Sequence, residues 1–260
     1  MTWLVSGCSF TYGDELETPE QERWSTHLGK LTNENVINVA NSGNCNKAIW
    51  RSVKEVLLRN NDITKVIIIW SAFERIEVID LNPHLQFDLE DGKTSRRDLA
   101  EYRYPTPYIQ YSPSRLDAHP FRLKSEEMEV YYNKIYTNEQ GILDSMFYMR
   151  DVYNTCSMLG ITAYGGIFHQ NINYTIAKAF SDSRLNHLGA RITRIHALYK
   201  DYLKGFNDGQ KIGFTGSAFL TFNEFTEVHK YNKMPDGHPG PEAHKAYAEY
   251  LFKEVIDNGQ

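Results

Sequence analysis

Lys65-Val66-Ile67-Ile68-Ile69-Trp70 decides the fold class. After one charged residue the run is apolar without alternation, so this strand has no solvent face. A strand covered on both faces belongs inside a parallel sheet flanked by helices. Outward from it, the same rhythm recurs. Trp3-Leu4-Val5-Ser6 and Val36-Ile37-Asn38-Val39-Ala40 read as earlier strands. Between them, residues 20–31 predict a helix, with Trp24, Leu28 and Leu31 at helical spacing. Residues 46–60 predict another, with Ile49, Val53, Val56 and Leu57 on one face. Downstream, residues 161–168 predict a fourth parallel strand. Helices are expected at 125–159, 184–203 and 241–256, and 211–222 reads as either a strand or an irregular lid. Strands alternating with helices imply right-handed crossovers and a doubly wound α/β fold, here with a mainly parallel sheet of about five strands.

The rhythm breaks at about 80–122. This stretch holds Pro83, Pro105, Pro107, Pro113 and Pro120 among many polar and aromatic residues. A structureless loop of that length would be unusual inside a domain. It is expected to be a Pro/Tyr-rich insertion folded over the carboxyl edge of the sheet, with tyrosines facing a cleft. No repeat or low-complexity linker divides the 260 residues, and a single domain over 1–260 is expected.

Bulk properties narrow the function. The net charge of -5 argues against a nucleic-acid partner. Cys8, Cys45 and Cys156 make an odd set with neither disulfide nor zinc spacing, which suits a reducing compartment. The chain shows no signal-peptide pattern, and no apolar run approaches the roughly 18 residues that span a bilayer. A cytoplasmic protein with no membrane partner, no cofactor and no bound metal is expected. His238, Glu242 and His244 match no standard zinc spacing.

Four segments fall where such sheets bind ligands, at the carboxyl ends of strands or before the last helix. Gly7-Cys8-Ser9-Phe10-Thr11-Tyr12-Gly13 follows the first strand. Ser9 there is a candidate nucleophile, although a serine at such a turn can equally cap a helix. Asn41-Ser42-Gly43-Asn44-Cys45-Asn46 follows the second strand. Its Gly43 N–H and the amides of Asn44 and Asn46 could meet an oxyanion, or simply make a turn and cap. Trp70-Ser71-Ala72-Phe73-Glu74-Arg75 follows the third. Ser71 is a further candidate donor, and Arg75 could bind an anionic group or pair with Glu74. Asp236-Gly237-His238-Pro239 precedes the last helix, offering His238 as general base and Asp236 to orient its ring. His244 reads as packed against the sheet.

Together these segments resemble the SGNH, or GDSL-type, hydrolase superfamily. Gly7 to Gly13 looks like its Ser block, with Cys8 where Asp is usual. Asn41 to Asn44 looks like its Gly block, and Asp236 to Pro239 like its Asp/His block. The third block departs from the pattern: it carries no Asn, the usual side-chain oxyanion donor. The Asp/His pair departs too, being separated by Gly237 alone. Cys-Ser-Phe-Thr together with Trp-Ser-x-x-x-Arg is similar to uncharacterised SGNH-like proteins of bacteria and tailed viruses, which would also admit a virion-associated protein. The resemblance implies a three-layer flavodoxin-like sandwich and esterase chemistry. Ser9, His238 and Asp236 would be catalytic, acting on a small acyl ester, with a carbohydrate O-acetyl group one option. A non-catalytic or weakly active glycan-binding or structural module on the same fold stays open, as does an acyltransferase.

Overall fold

The computed structural model describes residues 1–73, 75–79, 108–111, 130, 134–167, 211–213 and 220–256. In chain order, strand β1 (Thr2–Ser6) leads through the short helix α1 (Ser9–Tyr12) to α2 (Pro19–Glu22), α3 (Trp24–Thr32) and β2 (Asn35–Asn38). Helix α4 (Asn46–Arg59) and β3 (Ile63–Trp70) follow, then β4 (Ile76–Ile79) and β5 (Tyr108–Tyr111). The chain continues with α5 (Asn138–Met158), β6 (Thr162–Ile167), β7 (Lys211–Gly213), α6 (Phe222–Val228) and α7 (Pro241–Tyr250). A π-helical turn, Leu251–Ile256, continues α7.

The sheet order is β2-β1-β3-β6-β7, and every pairing in it is parallel. This is the 2-1-3-4-5 order of flavodoxin-like folds. Four strands of four to eight residues form its body, and the three-residue β7 brings the count to five. The four strands read from sequence near 3–6, 36–40, 65–70 and 161–168 are therefore neighbours in one sheet.

Alternation along the strands explains the apolar runs. Trp3 and Val5 of β1, Ile67 and Ile69 of β3, and Tyr164 of β6 join one core with Trp24, Leu28, Phe222, Phe225, Tyr247 and Leu251. Leu4, Val66, Ile68, Trp70 and Ala163 point the other way, into a core with Ile49, Val53, Val56, Met149, Val152 and Tyr153. Successive residues thus serve opposite faces, and both faces are covered, α3, α6 and α7 on one side and α4 and α5 on the other.

Two expectations change. The single helix expected over 20–31 is two helices, broken at Arg23, whose ψ of 149° is extended. The break frees the Trp24 N–H, which donates to Nδ1 of His244, 3.1 Å away in α7. A helix start needs acceptors for its first N–H groups, and here one arrives from the far end of the chain. The insertion begins earlier than expected, as β4 pairs antiparallel with β5 in a separate two-stranded ladder, Ile76 opposite Tyr111 and Ile79 opposite Tyr108. Arg51 of α4 grips Glu77 of β4 through both carboxylate oxygens, one at 2.7 Å. Arg51 lies in the second turn of α4, so this ladder sits beside the carboxyl edge of the sheet. The remainder of the insertion, residues 125–129 and the helix expected at 184–203 lie outside the described residues. The last expected helix is present, its final turn π-helical.

Candidate active site

β1 ends at Ser6, and the chain turns at once. A Cβ on Gly7 would fall 3.0 Å from the Ile69 carbonyl oxygen and collide with the Thr11 side chain, so only glycine lets the turn pass this close to β3. Ser9 opens α1 and is buried to 4% exposure. Its side chain makes no hydrogen bond among the described residues. The Ser9 carbonyl accepts from the N–H groups of Gly13 (2.9 Å) and Asp14 (3.1 Å), with Gly13 left-handed at φ 95°. The turn then continues through Asp14 to Glu15, itself left-handed at φ 67°.

The Gly block is tied to this turn. The Asn44 side-chain amide donates to the Gly7 carbonyl at 3.0 Å, and Ser42 Oγ donates to the Asp14 carboxylate. Asn38 holds the turn from behind, donating to Thr11 O at 3.0 Å and Ser25 Oγ at 2.8 Å. Gly43, at φ 74°, has open space where a Cβ would stand.

The His block is a tight hairpin. Met234 N–H donates to His238 O (2.7 Å) and Gly237 N–H to Met234 O (2.8 Å), with Gly237 left-handed at φ 90°. His238 is 6% exposed and its ring lies 5.2 Å from that of Phe10, the residue after Ser9. Nδ1 of His238 stands 2.8 Å from Glu15 Oε2. The same carboxylate accepts from the backbone N–H groups of Asp236 (2.8 Å, on Oε1) and His238 (3.1 Å, on Oε2). Burial works to raise the Glu15 pKa, but these hydrogen bonds and the imidazole charge outweigh it and hold the carboxyl below its ordinary value. An ionised carboxylate can only accept, so Nδ1 carries a proton, and in the neutral ring Nε2 is the nitrogen with the lone pair. Nε2 is buried with no hydrogen-bond partner among the described residues, and Asp14 Oδ2 lies 4.0 Å away.

One expectation is corrected by this geometry. Asp236 does not orient His238: it sits exposed in the hairpin turn, one residue from the histidine, and Glu15 occupies Nδ1 instead. Among the described residues, Ser9 and His238 share no hydrogen bond. The third segment is bonded internally and to α5. Asn46 donates from its amide to Ser71 O (3.0 Å) and Ser145 Oγ (2.8 Å) and accepts the Ser71 N–H at 2.7 Å. Arg75 donates to Ser71 Oγ at 3.1 Å. The Asn46 amide and the Ser71 N–H are thus committed to an internal network. Asn44 and His238 thus contact the Ser9 turn, whereas Asn46, Ser71 and Arg75 are bonded to one another and, through Ser145, to α5. Among the described residues, no group of His, Cys, Asp and Glu could hold a metal ion. Nor is any described helix long and apolar enough to cross a membrane.

His244 is the packed residue expected. It is fully buried, edge-on to Phe222 with ring centroids 4.6 Å apart, and burial lowers its pKa to about 3.

No protein-family model matches the chain, and no curated protein does. Solved structures with similar folds include a protein called TesA, at 12% identity and TM-score 0.48, covering 99% of each chain. A lipolytic protein of the G-D-S-L family from Veillonella parvula is 11% identical at TM-score 0.48, covering 99% of this chain and 98% of that one. The psychrotrophic esterase EstA from Pseudoalteromonas sp. is 9% identical at TM-score 0.49, covering 98% and 97%. At these values the likeness says nothing about activity. The strand order defines a doubly wound α/β sandwich of the flavodoxin-like kind.

Proposed function

We propose that the chain is a serine esterase that cleaves a small acyl ester, such as an O-acetyl group on a carbohydrate. One observation carries this reading: a buried histidine beside the Ser9 turn keeps Nε2 unpaired among the described residues while its other nitrogen is held. An unpaired ring nitrogen beside a candidate nucleophile is in a position to take its proton. Nε2 takes the Ser9 hydroxyl proton as Oγ bonds to the ester carbonyl carbon, and the carbonyl π electrons move onto oxygen. The N–H groups of Ser9 and Gly43, neither of which is hydrogen-bonded among the described residues, meet that oxyanion. Nε2 then returns the proton to the leaving alkoxide oxygen as the ester C–O bond breaks. Water repeats the sequence on the acyl-serine. Free enzymes commonly hold such a pair more loosely than the reactive complex does.

The first prediction follows. A fluorophosphonate probe should label the native protein and leave Ser9→Ala unlabelled. Hydrolysis of p-nitrophenyl acetate should vanish in the same variant. Thermal stability should hardly change, because the hydroxyl makes no hydrogen bond to lose among the described residues. Labelling that survives Ser9→Ala would overturn the nucleophile.

A second reading, a non-catalytic binding module, is favoured by the commitment of Asn46 and Ser71. Without a side-chain donor in the third block, the oxyanion site lacks a contact typically worth about 100- to 1000-fold in rate. Absence of both labelling and hydrolysis in the native protein would make that reading the better one.

A further inference from the structure

We propose that Glu15, six residues after the nucleophile on the same turn, is the positioning carboxylate of this site, in the place expected for Asp236. The inference rests on the esterase reading for its kinetic consequence.

The geometry separates the two candidates. Glu15 presents both oxygens to the histidine hairpin: Oε1 accepts from Asp236 N–H, and Oε2 from His238 N–H and His238 Nδ1. Three donors from one hairpin therefore converge on one carboxylate. Asp236 contributes its backbone N–H to that arrangement while its side chain is exposed. The hairpin itself accounts for the difference. With Gly237 alone between them, Asp236 and His238 flank a left-handed residue at φ 90°, and among the described residues the only bond Asp236 makes toward the site is through its N–H.

The backbone of Glu15 argues the same way. Its φ of 67° is a conformation L-residues other than Asn and Asp seldom adopt, and a long side chain persists there when its surroundings hold it. Here what holds it is the hairpin. The nucleophile and the carboxylate thus share the first turn of the chain, and only the base comes from the far end. When Nε2 takes the serine proton, the imidazolium forms with its Nδ1–H already directed at a negative charge. The proton on Nδ1 stays there throughout, and Glu15 accepts no proton.

The test compares Glu15→Gln, Glu15→Gly and Asp236→Asn with the native protein. Glu15→Gln should lower kcat for p-nitrophenyl acetate on the order of 100-fold or more, with KM nearly unchanged. Asp236→Asn should keep kcat near the native value. Glycine suits a left-handed φ, so Glu15→Gly should fold, and added formate should raise its kcat in a dose-dependent way. A merely structural role would show no such rescue. Long-range 1H–15N spectra read the ring without reference to activity. They should show native His238 protonated on Nδ1 at neutral pH, and that state should be perturbed in Glu15→Gln but not in Asp236→Asn. A crippled Asp236→Asn beside an active Glu15→Gln would overturn the assignment, as would a native ring protonated on Nε2. A native protein with no labelling and no hydrolysis would sink the esterase reading instead. The spectra would then decide the Glu15 contact by themselves.

Discussion

His238 and His244 stand six residues apart and do opposite things. Nδ1 of His238 meets a carboxylate; Nδ1 of His244 accepts a backbone N–H. A neutral imidazole suits the second task, and burial of His244, with smaller contributions from His27 and His238, pushes its pKa from 6.5 down to about 3. The folded pKa is below the unfolded one, so on acidification the unfolded chain binds the proton first. The stabilisation is complete above pH 6.5 and is lost as pH falls toward about 3, on the order of 4 kcal/mol over the full window. His27, lowered by burial and by Lys30, adds to the same trend, and Glu15 adds a loss of its own below about pH 4.5. Chemical denaturation at stepped pH should therefore give a shallower acid slope for His244→Asn, whose amide oxygen can replace Nδ1 as acceptor for Trp24. An unchanged slope would refute the assignment. Ser9, Gly7 and His238 are readable as a site from their motifs alone. Glu15 is not, because its three donors lie more than two hundred residues away along the chain. Two clues point to it: an acidic pair directly after Gly13, and an Asp/His spacing too short for the usual contact.

At the scale of elements, the helices and strands of the sheet are legible in the sequence because each has a periodic apolar face. The ladder of β4 and β5 is not. Ile76 to Ile79 is only four residues long, and its partner lies about thirty residues on, with no local turn to announce the pairing. What fixes β4 is a charge pair: Glu77, with its side chain wholly buried, held by Arg51, whose side chain is 21% exposed. Removing one member strands the other in a poorly solvated place. Glu77→Ala should cost about 3 kcal/mol in unfolding free energy. The paired change Arg51→Met with Glu77→Leu should recover most of that loss, since a buried ion pair replaced by apolar groups is often neutral. If the double variant is no more stable than Glu77→Ala, the pair supplies more than compensation of charge.

For the whole molecule, the order β2-β1-β3-β6-β7 depends on β6 lying flat against β3 while α5 closes over them. At Gly165, opposite Ile68 in that ladder, Tyr153 of α5 presses against the sheet. A Cβ there would overlap the Tyr153 hydroxyl, which accepts from Trp70 Nε1 at 2.8 Å. The apolar runs make the layering readable, but not this contact, because a glycine in a strand does not reveal what presses on it. Both Tyr153 and Trp70 are fully buried in the core under α5, so neither can yield without moving that helix or β3. Gly165→Ala should then destabilise the protein by about 1–3 kcal/mol, the usual penalty for overpacking. For a chain of 260 residues this lowers Tm by about 2–4 °C for each kcal/mol. Tyr153→Phe should cost less, about 1–2 kcal/mol, for the lost acceptor of Trp70. Because the added methyl meets the hydroxyl first, the double variant should be more stable than the sum of the single losses predicts. A thermal-denaturation cycle measures that coupling directly. Strict additivity would mean that the strain of Gly165→Ala is relieved elsewhere, and that β6 rather than α5 gives way.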